Sequence, residues 1–199
     1  MRAVIFDWGG VLMRTLDHTP RHAWDHRLGL PPGAIEQAVH GSEAWRRAQR
    51  GEISERAFWA EVGRALRIDP ELLPDLRYDF SRGDVLDRDL IELIRELRRR
   101  RILVGLMSNN IPALRTEIEA LRIDYLFDAV VISSDIGILK PDPRAFHAVL
   151  DRLHTSAQDA IFIDDFIENV MGARRVGLEA IHFTPGIDLR RELHTWFRL

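Results

Sequence analysis

The residues best suited to chemistry stand where short apolar runs end. Asp7 follows Ala3–Phe6, Ser108-Asn109 follows residues 102–107, and Asp164-Asp165 follows residues 160–163. Lys140 lies between the last two, in Gly137-Ile138-Leu139-Lys140-Pro141-Asp142-Pro143. It is the sole lysine among 28 basic residues, and every other cation is arginine. Lysine is a compact point charge on a flexible stem; arginine is a wide planar fork. A site that holds one phosphate oxygen and one carboxylate in a narrow space would reject the fork. Singly, each position has an ordinary reading. A strand-end Asp caps a helix, a strand-end Ser forms a turn, and one lysine survives compositional drift. Together they run in the order Asp, Ser, Lys, Asp-Asp.

These residues need a scaffold that brings distant strand ends together. Ala3–Phe6 is short, wholly apolar, and breaks at Asp7 into Gly9-Gly10, as a buried parallel strand does. Comparable strands are expected at 102–107, Ala129–Ile132, 160–163 and 179–183. Leu90, Leu93, Ile94 and Leu97 recur at helical spacing, as do Phe146, Val149, Leu150 and Leu153. Asp142-Pro143 offers an N-cap and a first-turn proline, and Gly177 a helix stop. Such alternation implies an α/β fold, a parallel sheet with helices on both faces. Open sheets of this kind place ligands at their strand ends. Residues 14–84 break the alternation. They hold no convincing strand, but amphipathic helical stretches at about 20–28, 33–49, 54–67 and 70–80, and so look like a helical insertion.

Composition narrows the function. Hydrophobic content of 46%, charged content of 30% and a net charge of −3 describe an ordinary globule without general attraction to nucleic acid or anionic membrane. The arginine run 98–101 suits a solvated helix end. With no cysteine, disulfides and thiolate metal sites are excluded. No apolar run reaches the ~18 residues of a membrane helix. Asp7 interrupts the signal-like first residues, so a cytoplasmic protein is expected. No pattern bears on oligomeric state.

In Phe6-Asp7-Trp8-Gly9-Gly10-Val11-Leu12, Met107-Ser108-Asn109, Gly137-Ile138-Leu139-Lys140-Pro141 and Ile163-Asp164-Asp165-Phe166-Ile167-Glu168-Asn169, the chain resembles the haloacid dehalogenase-like hydrolases. The subgroup it resembles comprises phosphatases with a helical cap after the first strand. Gly51-Glu52-Ile53-Ser54 is similar to a segment of bacterial sugar-phosphate phosphatases and of the phosphatase domain of soluble epoxide hydrolases. The resemblance implies a Rossmann-like sheet, strand order 5-4-1-2-3, with a core of residues 1–13 and 85–199 and a cap of 14–84. It implies a Mg²⁺-dependent phosphatase acting on a small phosphorylated metabolite. Asp7 would attack phosphorus and form an aspartyl-phosphate. Asp7, the Gly9 carbonyl, Asp164 and Asp165 would hold Mg²⁺. Ser108 and the Asn109 backbone N–H would bind phosphate at a helix start, and Lys140 would bridge Asp7 and the phosphate.

One departure matters. Such phosphatases carry a second aspartate two residues after the nucleophile, as general acid and base; here that position is Gly9. Losing such a group costs about 10²–10⁴-fold in rate. A phosphatase can compensate through water, substrate or a cap residue such as Glu43, and fares best where the leaving group needs little protonation. Sugar phosphates lead that set. A dehalogenase-type hydrolase is the first alternative, although the Asp164-Asp165 pair facing Asp7 calls for a cation. A catalytically weak phosphate-binding or regulatory protein is the second. His18, His22 and His26 lack an evident third ligand and suit an exposed helix. Trp45 is an aromatic candidate over the substrate, Trp8 is expected to pack near the loop, and Glu168 and Asn169 to shape theirs.

Overall fold

The computed structural model describes residues 2–198. Its sheet is built on β1 (Ala3–Phe6), whose four side chains are all buried. Parallel to it run β4 (Leu103–Ser108) on one side and β6 (Ala160–Asp164) on the other. β5 (Ala129–Ile132) and β7 (Glu179–His182) form the edges. The order β5-β4-β1-β6-β7 is the expected order read from the opposite edge.

Side-chain alternation along β1 divides the core in two. Val4 and Phe6 join a layer with Leu90, Ile94 and Leu97 of α6 (Arg88–Arg99) and with Leu193 and Phe197 of α11 (Leu189–Phe197). Ala3 and Ile5 face the other layer, with Phe146, Val149 and Leu153 of α9 (Pro143–Leu153) and with Val170 and Ala173 of α10 (Ile167–Arg175). Each layer removes large aliphatic and aromatic side chains from water, worth roughly 1.5–3 kcal/mol apiece. The sheet is thereby clamped from both faces, and its polar strand ends are presented along one edge. Asp142 caps α9 by accepting from the Arg144 N–H, and Pro143 opens that helix.

Between β1 and β4 lies the helical insertion: α1 (Thr19–Arg27), α2 (Ala34–His40), α3 (Glu43–Gln49), α4 (Glu55–Leu66) and α5 (Leu73–Ser81). These helices enclose a third apolar cluster, including Trp24, Ile35, Phe58, Trp59 and Leu76, which Ile111 from the loop after β4 joins. Two expectations are corrected. The stretch 33–49 is two helices, because Ser42 adopts extended backbone and caps α3 through the Trp45 N–H. The region also begins and ends in strand. β2 (Met13–Thr15) pairs antiparallel with β3 (Asp84–Leu86), Met13 opposite Leu86. Three residues are too few to show a period of two, which is why this ribbon is invisible in the sequence.

Arg21 ties the ribbon to the helices. Its buried guanidinium donates to the Phe80 carbonyl at 2.7 Å, Glu36 at 2.5 Å, Asp84 at 2.9 Å and Thr15 at 3.0 Å. Among the described residues, no helix is long and apolar enough to cross a membrane.

Candidate active site

Two strand ends and one loop converge at the carboxyl edge of the sheet. Asp7 leaves β1, Asp164 closes β6 and Asp165 follows it, while Lys140 arrives from the loop before α9. The Lys140 ammonium has three N–H groups and three acceptors: Asp164 Oδ2 at 2.6 Å, Asp7 Oδ1 at 2.8 Å and the Met107 carbonyl at 3.0 Å. All three side chains are buried, Asp164 completely. A planar guanidinium cannot direct three N–H bonds to converging acceptors around one atom, which accounts for the lone lysine.

The carboxylates are held individually. Asp7 Oδ1 also accepts from the Trp8 N–H at 2.7 Å, which leaves Oδ2 as the oxygen without a hydrogen bond from these two donors. Asp164 Oδ1 accepts from the Phe166 N–H at 2.8 Å, and the Asn169 amide reaches both Asp164 oxygens at 3.1 Å. Asn169 therefore shapes this loop as expected. The Asp165 carbonyl lies 3.0 Å from His182 Nε2 on β7, and Asp165 Oδ1 is buried without a hydrogen-bond partner.

Burial dominates the electrostatics. It pushes the Asp7 carboxyl up from 3.8 to about 7; Lys140 opposes the rise and Asp164 adds to it. Burial also raises Asp165, with Asp164 contributing. Burial presses the Lys140 ammonium downward, but the charges of Asp7 and Asp164 more than offset that, so it remains a cation. Three carboxylates around one ammonium leave an excess of negative charge. Asp7, Asp164 and Asp165 each offer an oxygen within 4.8 Å of the others, the only such grouping among the described residues. An all-oxygen set with an orphaned carboxylate oxygen suits a hard divalent cation.

Ser108 is buried at the end of β4, beside this cluster in the fold. The expected helix start does not follow it. α7 (Ala113–Ala120) begins only after Pro112, because Ile111 precedes a proline and avoids helical backbone. The Asn109 side chain does what sequence did not indicate: its Oδ1 accepts from the Lys140 N–H at 2.8 Å and its Nδ2 donates to the Lys140 carbonyl at 3.0 Å. Asn109 thus clamps the lysine's backbone.

Other candidates are engaged elsewhere or serve packing. Glu43 is exposed and ion-paired with Arg46 and Arg50, which hold its carboxyl below the usual range and make it a poor proton donor. Trp45 packs on His40 and Phe58 within the insertion. Trp8 is buried with Val11 and Leu12 of its own loop, as expected. His22 and His26 share α1, and among the described residues no group of three possible metal ligands includes His18, His22 or His26.

Comparison with known proteins places this geometry. The sequence model of the haloacid dehalogenase-like hydrolases matches residues 1–177. The sesquiterpene phosphatase astK of Aspergillus oryzae is 30% identical over 196 residues, spanning 96% of this chain and 94% of its own. Phosphatase MT3486 of Mycobacterium tuberculosis is 32% identical over 189 residues, spanning 89% and 85%. A haloacid dehalogenase-family enzyme of Bacteroides thetaiotaomicron, solved with magnesium and inorganic phosphate, superposes with a TM-score of 0.77 at 19% identity, over 94% of this chain and 96% of that one.

Proposed function

The chain belongs to the haloacid dehalogenase-like hydrolases, and on that premise we propose that it is a magnesium-dependent phosphatase of small phosphomonoesters, working through an aspartyl-phosphate on Asp7. The observation that carries this reading is the Lys140 ammonium bonded at once to Asp7 and Asp164 inside a cluster of carboxylates.

The chemistry follows from the positions. Asp7 Oδ1 is pinned by Lys140 and the Trp8 N–H, so Oδ2 is the attacking oxygen. Its bond to phosphorus forms as the bond from phosphorus to the leaving oxygen breaks, and water then hydrolyses the acyl phosphate to return the carboxylate. Lys140 offsets charge that builds between carboxylate and phosphate. Asp7, the Gly9 carbonyl, Asp164 and Asp165 would hold Mg²⁺. That ion, when bound, supplies neutralisation of the phosphate charge. The insertion is read as a cap over residues 14–84 that excludes water during the first transfer.

Gly9 offers no acid for the leaving group. Anomeric sugar phosphates, acyl phosphates and aryl phosphates tolerate that loss better than primary alkyl phosphates, and sugar phosphates are the first to test. The sesquiterpene phosphatase among the relatives widens the set to phosphates of apolar alcohols.

The test is phosphate release from p-nitrophenyl phosphate and glucose 1-phosphate, with Mg²⁺ or EDTA, against Asp7→Asn. Metal-dependent turnover absent from Asp7→Asn supports the reading; turnover that survives the substitution sinks it. The absence of an acid at Gly9 also suits a dehalogenase, which attacks carbon and needs no metal. Chloride release from a 2-haloacid in EDTA would favour that second reading. Inorganic phosphate binding with neither activity would favour a regulatory protein.

A further inference from the structure

The C-terminal end of α3 is where the insertion meets the strand-end loops. Gln49, the last residue of that helix, is buried although polar. Its side-chain N–H donates to the Asn109 carbonyl at 2.7 Å. Its own carbonyl, one of those a helix leaves without an internal partner, accepts from the Ser133 hydroxyl at 2.7 Å. Ser133 is buried at the start of α8 (Ser133–Ile136), and its oxygen in turn accepts from the Asn110 N–H at 3.0 Å. Two residues on, Gly51 has a φ of +70°, and a Cβ built there would lie 2.6 Å from the Ser134 carbonyl. Three successive contacts therefore press one corner of the insertion onto the loops after β4 and β5.

That corner is connected to the chemistry. Asn109, whose carbonyl Gln49 holds, clamps the Lys140 backbone with its side chain, and Lys140 holds Asp7 and Asp164. Asp7 keeps only 6% of its surface exposed, so access to it depends on the segments around it. Buried polar groups bonded across a seam cost little while the seam is shut and are left to find water when it opens.

We propose that Gln49 is the latch of the cap: its paired bonds to Asn109 and Ser133 set the fraction of molecules in which the cap is closed over the site. The assignment rests on the phosphatase reading for its kinetic consequence, but not for its structural one. Closing the cap selects the binding-competent state, and apparent affinity scales with the fraction in that state. Gln49 touches neither Asp7 nor Asp164, so saturating substrate restores the same closed complex. Gln49 is a positioning residue, and its loss raises KM while leaving kcat nearly as it was.

The experiment compares wild type with Gln49→Met, which keeps length without a donor, Ser133→Ala, and Gly51→Ala, which puts a methyl against Ser134. The first readout is hydrogen exchange at the Asn110 amide in the whole protein with no ligand. The second is kcat and KM for p-nitrophenyl phosphate with Mg²⁺. All three variants are expected to speed Asn110 exchange about tenfold and to raise KM about fivefold, with kcat within twofold. Wild-type exchange and KM in Gln49→Met would overturn the latch, as would a fall in kcat at unchanged KM. If wild type itself releases no phosphate, the phosphatase reading fails and the exchange rates alone decide the latch.

Discussion

Gly10 and Asp165 compete for one volume: a Cβ on Gly10 would lie 2.0 Å from Asp165 Oδ2, and the glycine's φ of +77° is already one that side chains avoid. The bare backbone of the first loop is therefore what lets the last carboxylate into the cluster. Gly10→Ala should push Asp165 aside and add about 1–2 kcal/mol of left-handed strain. Mg²⁺ binding measured by calorimetry should weaken at least tenfold. Unchanged affinity would remove Asp165 from the metal site.

Lys140→Met should be more damaging than any other single change at the site. It leaves Asp7 and Asp164 buried side by side with no cation, and breaking such a buried pair costs about 3–5 kcal/mol. Turnover should fall below detection, and the metal-free protein should unfold in less urea. Lys140→Arg should restore the charge but not the activity, since its fork cannot bond Asp7, Asp164 and the Met107 carbonyl together. Activity in the arginine variant above a tenth of wild type would contradict this account of the single lysine.

The pH dependence of metal stabilisation follows from Asp7. Between its ordinary 3.8 and about 7, the folded metal-free chain keeps a proton on Asp7 that the unfolded chain has released. Stability of the metal-free form therefore falls as pH rises through that window. Binding Mg²⁺ expels the proton, so the gain in Tm from a fixed Mg²⁺ concentration should be larger at pH 8 than at pH 5.5. Equal gains would mean that Asp7 is not a ligand.

Gly9 is exposed, and a Cβ placed on it meets nothing within 4 Å. Gly9→Asp should fold normally and return a proton donor to the leaving group. The benefit should fall on glycerol phosphate, by about 10²-fold if the acid is well placed, and hardly on p-nitrophenyl phosphate. A uniform change on both substrates would show that leaving-group protonation does not limit the natural enzyme.

Arg21→Met should loosen the insertion without touching the carboxylate cluster. Glu36 and Asp84 would lose their buried partner, at a cost of about 3 kcal/mol, or a Tm lower by roughly 2–4 °C per kcal/mol. Mg²⁺ affinity should stay at the wild-type value. A fall in affinity equal to that of Gly10→Ala would mean that the two regions are not separable.

What the sequence revealed and what it hid divide along a physical line. Asp7, Lys140, Asp164 and Asp165 were legible because parallel strands must end where polar residues begin, and because one lysine stands against 27 arginines by subtraction from 28 basic residues. The strand order was legible through the resemblance those motifs carry. The clamp by Asn109 was not, since it depends on two loops passing side by side, and no spacing records that. The missing helix start after Asn109 was legible in principle, for Pro112 stood in the way. The break at Ser42 was likewise written in a good N-cap residue after a glycine. Gln49 gave no signal: an ordinary helix-end glutamine acquires its meaning only from Asn109 and Ser133.

The β2–β3 ribbon has a consequence for how such a protein can change. Because Met13 sits opposite Leu86, the chain leaves the sheet and comes back to it through a single doorway. The helices beyond that doorway pack round one apolar cluster, which Ile111 from the loop after β4 completes. Another module of different size or lining could be grafted onto the same two strands without moving a residue of the five-stranded sheet. The five-stranded sheet and the helical insertion can then vary in step with different demands, as a socket accepts successive plugs.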